Sequence, residues 1–159
     1  MRRAMGRVLV SKVDSSGNKI KNFKKWRKDN PKEVYFDSYP EWEVWEYLTK
    51  SKIKFTSQPT LLLVNELDVT EFVKPRQTKK AKKEGRNSRD IKKVKQQKIS
   101  YTPDYYLPKF DIYIEVKGYA DEVFKLRWKL FKSKGYEGFI VYSLAEFKLL
   151  YKRILELYG

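Results

Sequence analysis

The sequence predicts an α/β fold, a mixed central sheet flanked by helices, with a basic arm inserted into it. Three observations carry that expectation. Periodic segments run in the order helix, strands, helix, strand, helix, the pattern of a sheet with helices on both faces. Two helix starts are written as capping boxes, Ser38-Tyr-Pro-Glu41 and Ser143-Leu-Ala-Glu146. Between two strand segments, residues 74–98 (KPRQTKKAKKEGRNSRDIKKVKQQK) carry almost no apolar side chains and cannot bury enough surface to fold alone. With 159 residues, 41% hydrophobic and 16% aromatic, the chain supports one core and is short for two. The expected organisation is one domain over 1–159: a basic segment 1–34, a core from 35–73 and 99–159, and the arm 74–98.

Residues 8–28 read as a short strand, a turn at Asp14-Ser-Ser-Gly-Asn18 and a second short strand ending near Trp26. Ser38 then opens a helix to about Lys52. Its hydroxyl can accept from a free backbone N–H, Pro40 is tolerated in the first turn, and Glu41 can reach back. Trp42, Trp45 and Leu48, with Val44 beside them, form the apolar side. Residues 53–55 and 60–64 read as strands divided by Gln58-Pro59, and the apolar run 61–64 predicts a strand covered on both faces. Residues 101–107 and 111–117 form a hairpin around Pro108-Lys109. In its second strand Ile112, Ile114 and Val116 face one way and Tyr113, Glu115 and Lys117 the other. Residues 121–134 make an amphipathic helix on Phe124, Trp128 and Phe131, with Gly135 at its C-terminal cap. Residues 138–142 are a third buried strand, and the last helix carries Phe147, Leu150, Ile154 and Leu157 at helical spacing.

Composition narrows the chemistry. There is no Cys and no His, which excludes disulfide scaffolds, thiolate or imidazole metal sites, thiol nucleophiles and Ser-His hydrolases. Carboxylates, Lys, hydroxyls and hard cations on oxygen ligands remain. The net charge is +16, and it is unevenly placed: +8 in 1–34, −4 in 35–73, +10 in 74–98 and +2 in 99–159. Ten net positive charges in 25 residues repel one another unless a polyanion is near, and phosphate backbones reward such segments through counterion release. The arm lacks the apolar face an interfacial helix needs, and no run of about 18 apolar residues is present, so no membrane partner is expected.

The hairpin places Asp104 late on one strand and Glu115 and Lys117 on one face of the next. Two carboxylates and an amine converging at one end of a sheet are what a Mg²⁺-dependent phosphodiester hydrolase needs. Pro103-Asp104, ten residues, then Glu115-Val116-Lys117, with Gly118 following, resembles the PD-(D/E)XK signature of restriction-endonuclease-like nucleases. The capped helix bearing a Glu, the Gln58-Pro59 strand, the hairpin and the basic helix after it extend the resemblance over about residues 33–145, toward the small phage endonucleases. The resemblance implies that Asp104 and Glu115 ligate Mg²⁺ or Mn²⁺, that Val116 lends its carbonyl, that Lys117 is the catalytic lysine, and that Glu41 is an outer acid near the metal. It implies a DNA endonuclease in a bacterial cytoplasm, phage or host encoded, and a homodimer where two strands are cut.

Lys79, Lys80, Lys82, Lys83, Arg86, Arg89, Lys92 and Lys93 of the arm, with Lys125 and Lys129 of the helix, are the candidate DNA contacts. Phosphate contacts position without reading sequence, which favours branched or junction DNA, or low sequence specificity. A site-specific nicking or homing-type enzyme is the alternative within the class. A non-catalytic nucleic-acid binder is the rival outside it. Each site residue also has a plainer reading: Glu41 as the partner of Ser38 alone, Asp104 as a turn residue, Glu115 and Lys117 as a surface charge pair, Lys125 and Lys129 as a solvated helix face. Glu43 and Glu46 leave open which acid of their helix faces a metal.

Overall fold

The computed structural model describes residues 11–67, 97–118 and 121–159. Two compact units emerge: one holds the described residues up to Pro59 together with Thr102–Gly159, the other lies within Thr60–Tyr101. Of the segments expected in the core, the described residues 60–67 and 99–101 belong to the second unit; residues 68–73 lie outside the described residues.

The first unit is a mixed α/β layer structure. Its short N-terminal pair, β1 (Val13–Asp14) and β2 (Tyr35–Phe36), is antiparallel, and helix α1 (Phe23–Asp29) lies between them in sequence. The expected second strand near Trp26 is thus a helix. Only an isolated bridge, Val13 to Lys19, represents the expected pairing. The local reason is Asn22, whose side chain accepts from the Lys25 N–H at 3.1 Å and starts a helical turn.

Helix α2 (Tyr39–Lys50) starts at Ser38 as expected, with the Ser38 hydroxyl accepting from the Glu41 N–H. Val44 and Leu48 are its core residues, while Trp42 and Trp45 are only half-buried. Its end is a Schellman motif: Leu48 C=O accepts from Ile53 N–H at 3.0 Å and Thr49 C=O from Lys52 N–H at 3.1 Å, with Lys52 at φ 54°. This termination uses up residues 51–53. The expected strand 53–55 is therefore displaced to β3 (Thr56–Ser57).

The main sheet has the order β3, β6 (Tyr105–Leu107), β7 (Ile112–Val116), β8 (Glu137–Val141). β3, β6 and β7 are antiparallel neighbours, and β8 lies parallel to β7 after a crossover through helix α3 (Glu122–Ser133). The expected strand 101–107 is broken at 102–104. Pro103 has no N–H for a ladder, so Asp104 precedes β6 instead of lying late on a strand. Helix α4 (Leu144–Tyr158) closes the unit from its Ser143 cap.

Both sheet faces are covered. Ile112, Ile114 and Val116 join Tyr105, Leu107, Val141, Val44, Leu48, Phe147 and Ile154 in one core between the sheet, α2 and α4. On the other face Tyr113 stacks on Tyr106 and meets Phe131 of α3 edge-on at 5.5 Å. Every residue of β7 is accordingly buried. Gly138 sits under α3, where a Cβ would come within 2.7 Å of the Phe131 ring. Leu157, expected on the apolar stripe of the last helix, is 73% exposed, one turn past the buried Ile154.

In the second unit β4 (Leu61–Leu67) pairs antiparallel with β5 (Gln97–Tyr101), with two register shifts. The strand expected to be covered on both faces is not: Leu63 is buried but Leu62 is 50% exposed. A two-stranded ribbon has one open face. The arm residues Lys79, Lys80, Lys82, Lys83, Arg86, Arg89, Lys92 and Lys93 lie outside the described residues.

Candidate functional site

The site forms where β6 begins and β7 ends. Antiparallel pairing of Tyr105 with Ile114 sets Asp104 across from the end of β7, and the Asp104 carboxylate accepts from the Val116 N–H at 2.7 Å. On the other side of Asp104, its carbonyl accepts from the Gln58 N–H at 2.8 Å, so the residue is held from both neighbouring strands. Period-2 geometry puts Glu115 and Lys117 on one face, and the Lys117 ammonium bonds the Glu115 carboxylate at 2.7 Å. The Lys117 N–H continues the ladder to Val141 C=O at 2.9 Å, which fixes its backbone beyond the strand end.

Helix α2 supplies the third acid. Glu41 is 4% exposed and its carboxylate accepts from the Asp37 N–H at 3.0 Å. Its backbone carbonyl accepts from the buried Tyr105 hydroxyl at 2.8 Å, which ties the first turn of α2 to the strand next to Asp104. Glu41 therefore serves the helix start and also faces the site. Glu43 and Glu46 are half-buried, and Glu46 is paired with Lys50, so α2 turns one acid inward.

Electrostatics bind the group together. Burial, then the charges of Glu115 and Glu41, push the Asp104 carboxyl up to about 8. Burial, then Asp37, push Glu41 up to about 7. Burial opposes the charge on Lys117, but the bond and attraction of Glu115, with Asp104 and Asp121 behind it, outweigh it and raise its pKa. Three carboxylates thus share one ammonium in a poorly solvated corner. Among the described residues no three acidic side chains form a ready-made metal nest.

Asp104, Glu115, Lys117 and Glu41 are therefore brought together, with the Val116 backbone in the same corner. Lys125 and Lys129 are exposed on α3, and Lys125 pairs with Glu122 at 2.9 Å. Three further contributors have other readings in the sequence. Tyr105 reads as strand packing, Phe124 as a core residue, and Gln58, with Pro59, as the break between two strands. Phe124 also lays its ring 4.6 Å from the Lys117 ammonium, a cation–π contact. The signal for Tyr105 is its position beside Asp104; nothing in the sequence marks Phe124.

Compared with protein-family models, curated proteins and solved structures, the chain matches none. Among the described residues no helix is long and apolar enough to cross a membrane.

Proposed function

We propose that this chain is a metal-dependent DNA endonuclease that hydrolyses phosphodiester bonds with Mg²⁺, for which Mn²⁺ substitutes. The observation that carries the reading is the meeting of buried Glu115 and Glu41 and half-buried Asp104 with one ammonium, Lys117. Excess negative charge in such a place is offset either by protons or by a cation. The donor set suits magnesium, which takes one or two carboxylates plus substrate oxygens and does not need an all-protein cage. Asp104 and Glu115 would hold the ion, with the Val116 carbonyl, and Glu41 would be the outer acid. Bound there, it would polarise a phosphate and acidify a water.

The chain's own groups do the rest. Lys117 keeps its proton, so it acts as a donor to oxygen that gains negative charge and not as the base. Glu115 holds that ammonium in place, and Phe124 covers one side of it. The two basic segments grip backbone phosphates, consistent with a branched or junction substrate or low sequence specificity. The resemblance to PD-(D/E)XK nucleases points the same way.

Supercoiled, linear and four-way-junction DNA, each with Mg²⁺ or EDTA, test the proposal. Cleavage is expected only with metal, and Glu115→Gln and Lys117→Ala should each abolish it. No cut on any substrate, or normal cutting by both variants, would leave a non-catalytic nucleic-acid binder.

A further inference from the structure

The turn after β1 and helix α1 line an open cleft of about 240 Å³, none of whose lining residues belongs to the carboxylate site. Its floor is Ile20, which is buried, and the half-buried Trp26; its rim carries Lys19, Lys21 and Lys25. The cations of this region divide into two kinds. Lys12 lies 4.7 Å from the Phe23 ring and 5.0 Å from the Tyr35 ring and pairs with Asp37, while Arg27 lies over Tyr35 and donates to Glu33 C=O. Those two bracket the Phe23 and Tyr35 rings, which in turn meet the Trp26 indole, Phe23 stacked at 6.1 Å and Tyr35 edge-on at 6.3 Å. Lys19, Lys21 and Lys25 form no ion pair among the described residues. The cleft also contains Asp14 and Asp29, but Asp14 is occupied by the Ser16 and Asn18 N–H groups at 3.0 and 2.9 Å.

An indole beside an apolar residue, with three ammoniums that are unpaired among the described residues against two carboxylates, is matched chemically by a base joined to phosphates. A duplex presents its bases stacked and out of reach, whereas a single strand offers both parts to such a cleft. The volume is small against that of ordinary ligand pockets, which suits one nucleotide unit of a strand better than a larger free ligand. We infer that this cleft is a single-strand nucleic-acid subsite in which one base packs on Trp26 and the flanking phosphates meet Lys19, Lys21 and Lys25. This rests on the reading of the chain as a nucleic-acid binder, and not on its cleaving anything.

The test is fluorescence anisotropy with labelled dT₁₀, an abasic strand of equal length, and a duplex. Wild type should bind dT₁₀ about ten-fold more tightly than the abasic strand, the size of one stacked base. Trp26→Leu should erase that preference and Trp26→Phe should keep most of it. Neutralising Lys19, Lys21 and Lys25 to Gln should lower the salt slope by about two for dT₁₀ and the abasic strand alike. The Trp42 indole N–H, bonded to Ser15 C=O at 3.1 Å, reports by NMR that the turn after β1 is still seated in each variant. Equal binding of dT₁₀ and the abasic strand by wild type, or an unchanged preference in Trp26→Leu, overturns the subsite. Tight duplex binding with no single-strand binding also overturns it while leaving the nucleic-acid reading intact; binding to none of the three sinks both.

Discussion

Replacing Asp104 by Asn removes a poorly solvated titrating carboxyl but keeps an oxygen able to accept the Val116 N–H. In the folded chain Asp104 has a pKa of about 8 against an ordinary 3.8. Between those values the folded state holds a proton that the unfolded state has released. The group's contribution to stability is therefore complete below about pH 4 and is lost as pH rises through about 8. One group fully protonated only when folded loses about 1.4 kcal/mol per pH unit, so the loss by neutral pH is bounded at roughly 4 kcal/mol. Sharing of the proton with Glu41 reduces what Asp104 alone contributes, and about 2 to 4 kcal/mol is the expected range. Urea unfolding in EDTA, from acid to mildly alkaline pH, measures it. The difference between Asp104→Asn and wild type should be near zero in acid and grow to that range in the variant's favour. Adding Mg²⁺ at alkaline pH should then stabilise wild type, by about 2.7 kcal/mol at a hundred times its dissociation constant, and the variant far less. Parallel pH profiles, or a variant less stable than wild type at alkaline pH in EDTA, would refute the account of the buried carboxylates. An equal Mg²⁺ effect on both proteins would refute the metal assignment.

Gly138→Ala should cost about 1–3 kcal/mol in urea unfolding, because the new Cβ meets the Phe131 ring at 2.7 Å and the Trp128 ring at 3.0 Å. Lys52→Gly should stabilise the chain by about 0.5–1 kcal/mol, since Lys52 closes the α2 Schellman motif at φ 54°, where glycine carries no Cβ penalty; thermal unfolding reads the gain. Neutralising Lys79, Lys80, Lys82 and Lys83 should weaken DNA binding and lower its salt slope by roughly one unit for each phosphate these lysines no longer neutralise. An unchanged slope makes the arm a spectator.

What can be read in the sequence is what short segments decide for themselves. Ser38 and Ser143 start helices because an N-cap needs only its own next turn. The 105–116 hairpin, the Phe124, Trp128 and Phe131 stripe and Gly135 are legible for the same reason, as is the facing of Asp104 and Glu115, which follows from strand period and a short turn. What lies beyond the sequence depends on which of two competing local signals wins, or on partners far along the chain. The segment around Trp26 has enough aromatic residues for a strand, and the Asn22 cap makes it a helix. The run 61–64 has the apolar content of a central strand, yet its neighbour is one ribbon strand, so Leu62 stays open.

The candidate site divides along that line. Local pattern determined that a Pro-Asp and a Glu-x-Lys would share a hairpin, and the absence of His and Cys determined that only carboxylates, lysine and hydroxyls were at hand. Tertiary structure alone decided that Glu41, not Glu43 or Glu46, joins them, because the Tyr105 hydroxyl on Glu41 C=O sets how α2 lies on the sheet. It also decided the protonation of the group. Burial is a property of the assembled layers, and burial first, then the neighbouring carboxylates, raises Asp104 and Glu41 above their ordinary values, an effect that Lys117 only partly offsets.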